Sequence, residues 1–437
     1  MHATVDVRLE ITIDDDKTLT LGTLASEIND QEIEAKIVES VVQEADSQSI
    51  QEYCGEKYER GNGTKRFQRA GTTTRTATIS AGTHEFRLHQ AKDTEKNRYF
   101  RPVENIITFD GKKHYQEDIS MHGVDLATKL SYRDAVEEGE RFTQMPSKTT
   151  INRRVKEYGT KLREFLTEAI NGTQSACVQD DGTKCHSQEI EVNQHDIHVT
   201  LDSANESLLD VRVNESWDDT AKELDDADAV ADDATVVSDA DSSLHDAFVT
   251  EDRTQQLDLV HLVRTTGYNL WKDAELTLDE RKRVLDSVKE AIYPLTWAVE
   301  KARSQDDPSR LRRQIENTVE TIQRIASNLS SLGCPQAAGY LRRCSNRAVT
   351  FARLALEEVQ VPWTSNRIER LMGEISKRCK HQWMSWTTSG LDSLLRLILT
   401  RTTNPAEYER FKRKMTHRSD QKYISTEVSV EDARGEF

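Results

Sequence analysis

The chain has 437 residues, of which 36% are hydrophobic and 31% are charged, and its formal net charge is −17. A hydrophobic share of this size excludes a wholly disordered protein, and the length predicts two or three domains. No apolar run is long enough to span a bilayer, and the N-terminus lacks the apolar segment of a signal peptide, so we expect a cytoplasmic protein.

The charge is distributed unevenly along the chain. Asp and Glu concentrate between residues 206 and 252, whereas Lys and Arg concentrate in 367–380 and 410–418. Because DNA-binding proteins usually have clusters of positive charge, the negative net charge alone argues against binding to nucleic acid. An acidic, Asp- and Thr-rich, Lys-poor surface is also typical of proteins that work in concentrated salt, where exposed charges are screened.

Residues 1–115 predict an N-terminal α/β accessory region. The spacing of apolar residues predicts a helix over 26–54, and Gly61-Asn62-Gly63 predicts a turn. Strands are predicted over 1–10, 65–67, 75–79 and 85–88. The β-rich part is small and basic, which fits either a DNA-contacting element or a solvated hairpin.

Residues 116–170 predict a helix-turn-helix-like DNA-binding region. Helices are expected over 124–131, 132–139 and 149–158, and the last of these continues to 170. Ser147 or Thr149 can cap it. Its apolar face consists of Ile151, Val155 and Tyr158, and three polar donors lie off that face: Asn152, Arg153 and Lys156. The second helix of such a motif enters the major groove, although two helices of an all-α subdomain give the same pattern.

From residue 171 the pattern predicts a core of alternating strands and helices. Strands are expected over 176–180, 195–201, 208–213, 234–238 and 257–260, with short helices over 220–226 and 242–248. Residues 171–275 form the first part of this core, 276–355 an all-α insertion broken at Pro308 and Pro335, and 356–416 the last part. The last part contains helices over 365–380, 396–399 and 407–414, and a polar tail covers 417–437.

Three acidic residues on separate elements can meet at one point: Asp181, Asp239 and Glu369. Asp181 ends the first core strand at an expected turn at Gly182, Asp239 closes the apolar run 234–237, and Glu369 opens a helix. Their alternatives are Asp180, Asp241 and Glu374. Hard divalent cations prefer carboxylate oxygens, and two such ions can clamp the attacking and departing oxygens of a phosphodiester. The pattern predicts a site for two Mg²⁺ or Mn²⁺ ions, although 76 acidic residues allow other triads.

The motifs around these acids resemble those of the mutator-type DDE transposases. The run Thr364-Ser365-Asn366-Arg367-Ile368-Glu369-Arg370 resembles the third-acid motif, in which a Thr and an Asn precede the catalytic Glu. The segment 257–264 is similar to the strand-and-His element after the second Asp, and Asp181-Gly182-Thr183-Lys184 resembles the first motif. The resemblance extends over most of the chain, which looks like a haloarchaeal insertion-sequence transposase.

The resemblance implies an α+β or α/β multidomain chain with an RNase H-like catalytic core, a mixed sheet flanked by helices. Asp181, Asp239 and Glu369 would be catalytic and would hold the metal, and a 3′-hydroxyl would attack target DNA without a covalent protein intermediate. Supporting roles fall on His261, Asn366 and Arg370. The Cys that often precedes the His is missing, and Asp258 stands three residues before His261. We therefore expect His261 to orient the scissile phosphate or to be structural.

The helix that carries Glu369 continues into a basic stretch. Phosphate contacts are expected from Lys377, Arg378 and Lys380, although a solvated basic face gives the same pattern. Three tryptophans follow or precede this stretch: Trp363, Trp383 and Trp386. We expect them to pack the helix onto the sheet, with stacking on a flipped base as the alternative.

The leading interpretation is a DDE transposase that binds the terminal inverted repeats of an insertion sequence and performs two-metal strand cleavage and strand transfer. Its expected partners are double-stranded DNA and further copies of itself, without a membrane, in a cytoplasmic, nucleoid-associated location. The alternatives are a DNA-binding regulator with an inactive transposase-like fold and a metal-dependent nuclease of the same fold.

Overall fold

The computed structural model describes residues 20–21, 33–55, 65–110, 114–305, 308–380 and 384–416. The strand predicted over 1–10, the turn at 61–63, Trp383 and the tail 417–437 lie outside these residues. The chain divides into two compact units. One comprises the residues up to Arg154 together with those from Lys412 on, and the other comprises Val155–Phe411.

The first unit contains a helix and a small antiparallel sheet of strand order β1-β2-β3. Its elements are α1 (Ile33–Cys54), β1 (Phe67–Ile79), β2 (Gly82–Asp93) and β3 (Arg98–Phe100). The helix buries Val42 and Ala45 against Phe86 and Leu88 of β2. The short strands predicted over 65–67 and 75–79 are one strand, because β1 pairs with β2 along its length and only a bulge after Arg69 interrupts the register.

Three helices follow, in the order predicted for the helix-turn-helix-like region, but the first spans 117–127 and not the predicted 124–131. They are α2 (Glu117–Ala127), α3 (Tyr132–Gly139) and α4 (Lys148–Ile170). The Ser131 side chain caps α3, and the Ser147 hydroxyl accepts the N–H of Thr150 at 3.4 Å, as expected of a cap. The predicted apolar face of α4 is buried at Ile151, Val155 and Tyr158. The division between the two units falls within α4, after Arg154.

The second unit contains a mixed five-stranded sheet of order β6-β5-β4-β7-β8. Its strands are β4 (Ser175–His186), β5 (Gln194–Asp202), β6 (Ser207–Val213), β7 (Val230–Ser238) and β8 (Thr254–Leu257). The first three are antiparallel neighbours, and β7 and β8 continue the sheet parallel to β4. Counted along the chain, the strands therefore lie in the order 3-2-1-4-5. Two short helices flank β7: α5 (Trp217–Asp226) and α6 (Ser242–Phe248).

Four of the five predicted core strands are present, and the prediction for 257–260 is wrong. Strand β8 ends at Leu257, and α7 (Leu259–Asp273) begins two residues later. Asp258 is the reason, because one of its carboxylate oxygens accepts the backbone N–H groups of Val260 at 2.6 Å and His261 at 2.9 Å. An N-cap of this kind satisfies free donors of the first helical turn and so starts a helix where the apolar pattern alone suggested a strand.

Helices fill the rest of the second unit. They are α8 (Leu278–Gln305), α9 (Pro308–Ser331), α10 (Pro335–Cys344), α11 (Thr350–Ala355), α12 (Asn366–Cys379), α13 (Thr388–Thr403) and α14 (Pro405–Thr416). Pro308 and Pro335 each open a helix, where the missing N–H costs nothing. Apolar residues of α8 to α11 share one buried cluster with Val237 and Leu257 of the sheet.

The described chain is therefore α+β, with a mixed five-stranded sheet flanked by helices, as predicted at that level. In the described ranges no helix has both the length and the apolar character needed to cross a membrane.

Candidate functional site

Asp181 lies in the middle of β4, the central strand of the five-stranded sheet. It pairs with Val199 of β5, and the strand continues through Gly182 to His186. The turn expected at Gly182 is therefore wrong, because pairing with β5 keeps this segment extended. A Cβ at Gly182 would meet neighbours no closer than 3.6 Å, so close packing does not require glycine here.

Asp180 lies on the opposite face of β4, as strand alternation predicts. Its side chain is buried and accepts the Thr200 hydroxyl proton at 2.6 Å. Burial raises the pKa of Asp180 to about 7. Asp180 thus belongs to the sheet interior, while Asp181 is half-buried on the other face.

Asp239 follows the last residue of β7, the parallel neighbour of β4. Gln179 is level with Val237 in this pair, so continuing the register by two residues places Asp181 level with Asp239. Asp239 accepts the backbone N–H of Asp241 at 3.0 Å. The Asp241 carboxylate instead caps α6 by accepting the N–H groups of Ser243 and Leu244. Of the two candidate acids, Asp239 is the one next to β4.

Glu369 is in the first turn of α12, and its carboxylate lies 3.2 Å from Nε2 of His261 on α7. Both side chains are largely shielded, with 17% of the His261 side chain and 35% of the Glu369 side chain exposed. Its competitor Glu374 forms an ion pair at 2.7 Å with Lys377, one turn further along the helix. His261 therefore lies beside the third acid, and it sits on a helix rather than on the strand that the motif suggested.

Asp181 and Asp239 are level on neighbouring strands, and the charge of Glu369 also acts on Asp181. We call these three residues the carboxylate cluster. Burial and the negative charges of Asp239 and Glu369 raise the pKa of Asp181 to about 6, against the opposing effects of the Gly182 N–H and His261. Like charges that act on one another in this way make the ionised cluster unfavourable on its own. A bound cation would relieve that repulsion.

The donors of the carboxylate cluster fit a hard divalent cation, because all three supply carboxylate oxygens and each comes from a different element. In the ranges that the structure describes, no three His, Cys, Asp or Glu side chains lie close enough together to coordinate one metal ion. Asp181, Asp239 and Glu369 are the residues that would hold Mg²⁺ or Mn²⁺, with His261 beside Glu369.

A buried carboxylate that sequence reasoning did not select holds the cluster in place. Besides capping α7, Asp258 accepts both the N–H and the hydroxyl proton of Ser365 with its second oxygen, each at 2.6 Å. Ser365 immediately precedes α12. One side chain thus fixes the start of the helix that carries His261 and the start of the helix that carries Glu369. The only sequence signal was an Asp three residues before the His.

Gln179 makes a second connection between β4 and α12. Its side-chain oxygen accepts the N–H of Ile368 at 3.4 Å, and its amide donates to the Ser203 hydroxyl at 3.1 Å. Gln179 is fully buried two residues before Asp181. Because residues two apart on a strand share a face, Gln179 links the Asp181 side of the sheet to the turn that contains Glu369.

The basic stretch of α12 is divided between surface and interior. Lys377 is exposed, whereas Arg378 is buried with its guanidinium 5.3 Å from the ring centre of Trp386. Lys380 donates a hydrogen bond to the Thr183 hydroxyl, two residues after Asp181. The structure therefore places Lys380 near the carboxylate cluster and Arg378 in the packing of the helix. Asn366 and Arg370 are exposed on either side of Glu369.

Trp363 and Trp386 pack against protein, as expected. Trp363 borders the large apolar cluster, with its ring edge-on to Tyr293. Trp386 is buried and donates its indole N–H to the carbonyl of Cys379 at 3.0 Å.

The predicted DNA-binding residues of α4 lie on one helix. Arg153 is exposed, while Asn152 and Lys156 are half-buried. Their neighbour Arg154 is buried and lies 3.6 Å from Asp110. Arg153 is thus accessible beside the apolar face of α4, and Asn152 and Lys156 are partly so.

Comparison of the sequence with known protein families and with curated proteins found no match in either set. The function has to be inferred from the geometry of the carboxylate cluster.

Proposed function

We propose that this protein is a metal-dependent DNA phosphoryl transferase of the DDE transposase kind, with an RNase H-like catalytic core. The mixed sheet with its strands in the order 3-2-1-4-5 supports this core. The helices of 276–355, between the second and third acids in sequence, support the all-α insertion expected of such a chain.

One observation carries the proposal. Asp181 and Asp239 stand side by side on parallel neighbouring strands, and Glu369 reaches the same place from α12. In the described part of the chain, no Lys or Arg forms an ion pair with any of the three. Each of the three acids has one hydrogen-bonding neighbour, namely the Gly182 N–H, the Asp241 N–H or His261, but their negative charges are not balanced by Lys or Arg. Carboxylates that serve only the fold are normally charge-balanced when shielded from water, so this cluster supports a binding or catalytic role.

The carboxylate cluster, His261 and Lys380 have different roles in the proposed cleavage of a phosphodiester. Bound divalent ions would supply the positive charge that activates the attacking oxygen and compensates the departing one. Asp181, Asp239 and Glu369 hold that charge in place, and His261 fixes the orientation of Glu369. Lys380, tied to Thr183 of β4, offers a cation for a phosphate next to the cluster. In strand transfer the attacking oxygen is a 3′-hydroxyl, which forms the new P–O bond as the old one breaks.

The substrate we propose is double-stranded DNA, bound at the element ends through Asn152, Arg153 and Lys156 of α4. A second copy of the chain is the expected partner on DNA, since two ends have to be brought together. The acidic composition supports activity in concentrated salt in a nucleoid-associated, cytoplasmic setting.

The test is cleavage of a labelled duplex that carries the ends of the DNA element encoding this chain. It compares wild type with Glu369→Gln and with Glu374→Gln in high salt with Mg²⁺ or Mn²⁺. Both substitutions remove one carboxylate from α12, but only the first touches the carboxylate cluster. Wild type and Glu374→Gln should cut, and Glu369→Gln should lose about a thousandfold in rate, because metal charge stabilisation is worth several kcal/mol.

Joining of a pre-cut 3′ end to target DNA distinguishes a transposase from a nuclease of the same fold. Equal cleavage by Glu369→Gln and wild type would remove the cluster from catalysis. Binding of the ends without cutting by all three proteins would point to a regulator with an inactive fold.

A further inference from the structure

Helix α7 carries an exposed aromatic and basic face that begins at the carboxylate cluster. Relative to His261, the residues Arg264, Tyr268, Trp271 and Lys272 follow at positions +3, +7, +10 and +11. At 100° per residue these five lie within an arc of about 100° on one side of the helix. The buried residues of α7 lie on the opposite side: Leu259, Leu262, Thr266 and Leu270.

The two aromatic side chains of this face are stacked in solvent. Tyr268 is 53% exposed and Trp271 is 62% exposed. Their rings lie 5.9 Å apart at an interplanar angle of 22°, and the Lys272 ammonium lies 4.6 Å from the Tyr268 ring centre. An exposed aromatic pair has no role in the core, yet this one is held in a stacked arrangement with a cation over it.

The charge around this face favours an anionic partner. Arg264 is exposed and, in the described part of the chain, makes no ion pair with a carboxylate. The helical insertion that follows, residues 276–355, has fourteen Lys and Arg against nine Asp and Glu, in a chain whose net charge is −17. A basic surface with interleaved aromatic rings is the chemistry that binds nucleic acid strands by stacking on bases and by pairing with phosphates.

We propose that this α7 face, formed by Arg264, Tyr268, Trp271 and Lys272, is a platform that binds unpaired DNA next to the scissile phosphate. This inference rests on the proposed function. Bases stack on Tyr268 and Trp271, while Arg264 and Lys272 contact the backbone. The preferred substrate is therefore DNA whose strands are separated beside the cut, rather than an intact duplex, because only an unpaired base exposes its flat face.

The spacing gives the position of the stacked bases. Tyr268 and Trp271 lie about 10 Å and 15 Å from His261 along the helix axis, at 1.5 Å per residue. For an unpaired strand whose bases remain stacked, at about 3.4 Å per nucleotide, these distances correspond to three to four base steps from the phosphate at the carboxylate cluster.

The experiment measures binding of fluorescent oligo(dT) and of a blunt duplex to the full chain, in EDTA, at two salt concentrations. The variants are Tyr268→Ala/Trp271→Ala, the aromatic-preserving Tyr268→Phe/Trp271→Phe, and Trp297→Ala as a control. Trp297 is 70% exposed but lies on α8, 12 residues beyond Leu285, which packs near Gly267 of α7. The alanine pair should weaken oligo(dT) binding about tenfold or more and leave duplex binding unchanged. The Phe pair and the control should bind as wild type.

A probe of position completes the test. A fluorescent base analogue three or four nucleotides from the cut should be quenched by wild type and not by the alanine pair. Unchanged oligo(dT) binding, or an equal loss for oligo(dT) and duplex, would overturn the platform. Dissociation of a dimer by the alanine pair, with DNA binding intact, would assign the face to a second copy instead. The oligo(dT) and duplex binding measurements do not require cleavage, so the platform can fail while the proposed function stands, and the reverse.

Discussion

Two sets of shielded carboxylates on the five-stranded sheet differ in whether arginine balances their charge. On β6, Asp210 is buried between Arg212, whose Nε donates to it, and Arg396 of α13 at 3.1 Å. We call these three residues the matched network. On β4, half-buried Asp181 faces two further acids and one histidine. The same sheet therefore holds one set of carboxylates balanced by arginine and one set that is not.

The difference between the two sets is one of charge balance. Arg212 also pairs with Glu215 at 2.7 Å and with Glu223, so the matched network and these two neighbouring acids bring several charges of each sign into hydrogen-bond contact. Burying such a network costs desolvation energy. Its ion pairs offset that cost only if every charged group keeps its hydrogen-bond partners. The carboxylate cluster has no such balancing cation, so its fully ionised form is unfavourable, which supports the proposed metal site.

Breaking the matched network should have the largest effect on stability. Arg396→Met leaves the buried Asp210 with one partner fewer, and removing one partner of a buried pair costs about 3–5 kcal/mol. We expect a loss of this size in the free energy of unfolding, measured by denaturant titration. A double variant, Arg396→Met with Asp210→Leu, should recover part of it. A loss below 1 kcal/mol would show that Asp210 and Arg396 do not interact as described.

Removing the residue that aligns the two helices should have an intermediate effect. Asp258→Ala takes away the cap of α7 and leaves the buried N–H and hydroxyl of Ser365 without their acceptor, which should cost about 2–3 kcal/mol. Cleavage should fall by about 10–100-fold, as when a residue that supports a metal ligand is lost.

Ser216→Ala is the matched control for Asp258. Ser216 caps α5 with a capping box but has no described contact with α12. It should cost about 1 kcal/mol and leave cleavage unchanged. Equal cleavage by Asp258→Ala and Ser216→Ala would mean that Asp258 acts only as a cap.

The smallest expected effect is an increase in the free energy of unfolding when Asp181 of the carboxylate cluster is neutralised. Folding raises the pKa of Asp181 from 3.8 to about 6, so the folded state holds the proton more tightly than the unfolded state. Asp181 therefore lowers stability progressively as pH rises from about 4 to 6, and the loss is complete above the folded pKa. In EDTA at pH 7, Asp181→Asn should be more stable than wild type by about 1–2 kcal/mol, a value discounted for partial exposure.

The stability advantage of Asp181→Asn over wild type should shrink as pH is lowered to 4. It should disappear when Mg²⁺ is added to wild type. Asp232→Asn, an exposed acid on β7, serves as the control and should change stability little at either pH. If Asp181→Asn were less stable than wild type at pH 7 in EDTA, Asp181 would be stabilised by its neighbours rather than repelled by them.

Much of the site could be predicted from local patterns. Asp181, Asp239 and Glu369 were selected because each borders a β-prone or helical segment, and the sheet register then aligns Asp181 with Asp239. The basic stretch of α12 was harder, because charge alone does not reveal which side of a helix a residue occupies. Counted from Ile368, the buried residues Leu371, Ile375 and Arg378 lie at +3, +7 and +10. The helical spacing therefore predicts that Arg378 is buried, although arginine is usually exposed.

Other features depend on contacts that a single sequence does not encode locally. Asp258 caps α7 locally, but its second oxygen accepts hydrogen bonds from Ser365, 107 residues away in the chain, and no local pattern reveals that link. Gly182 was expected to turn the chain, but pairing with β5 keeps it extended, and tertiary pairing overrides glycine's local preference. The matched network likewise joins Asp210 to Arg396, which lie 186 residues apart.

The bond between Asp258 and Ser365 also bears on the order in which the protein folds. Bringing the ends of a flexible segment of about 107 residues together costs roughly 4 kcal/mol in chain entropy, and a contact of this span is slow to form. Helices α8 to α11 shorten the effective path between these ends once they have formed. We expect the acids of β4 and β7 to be aligned early with the sheet, and Glu369 to join them only after the intervening helices have folded.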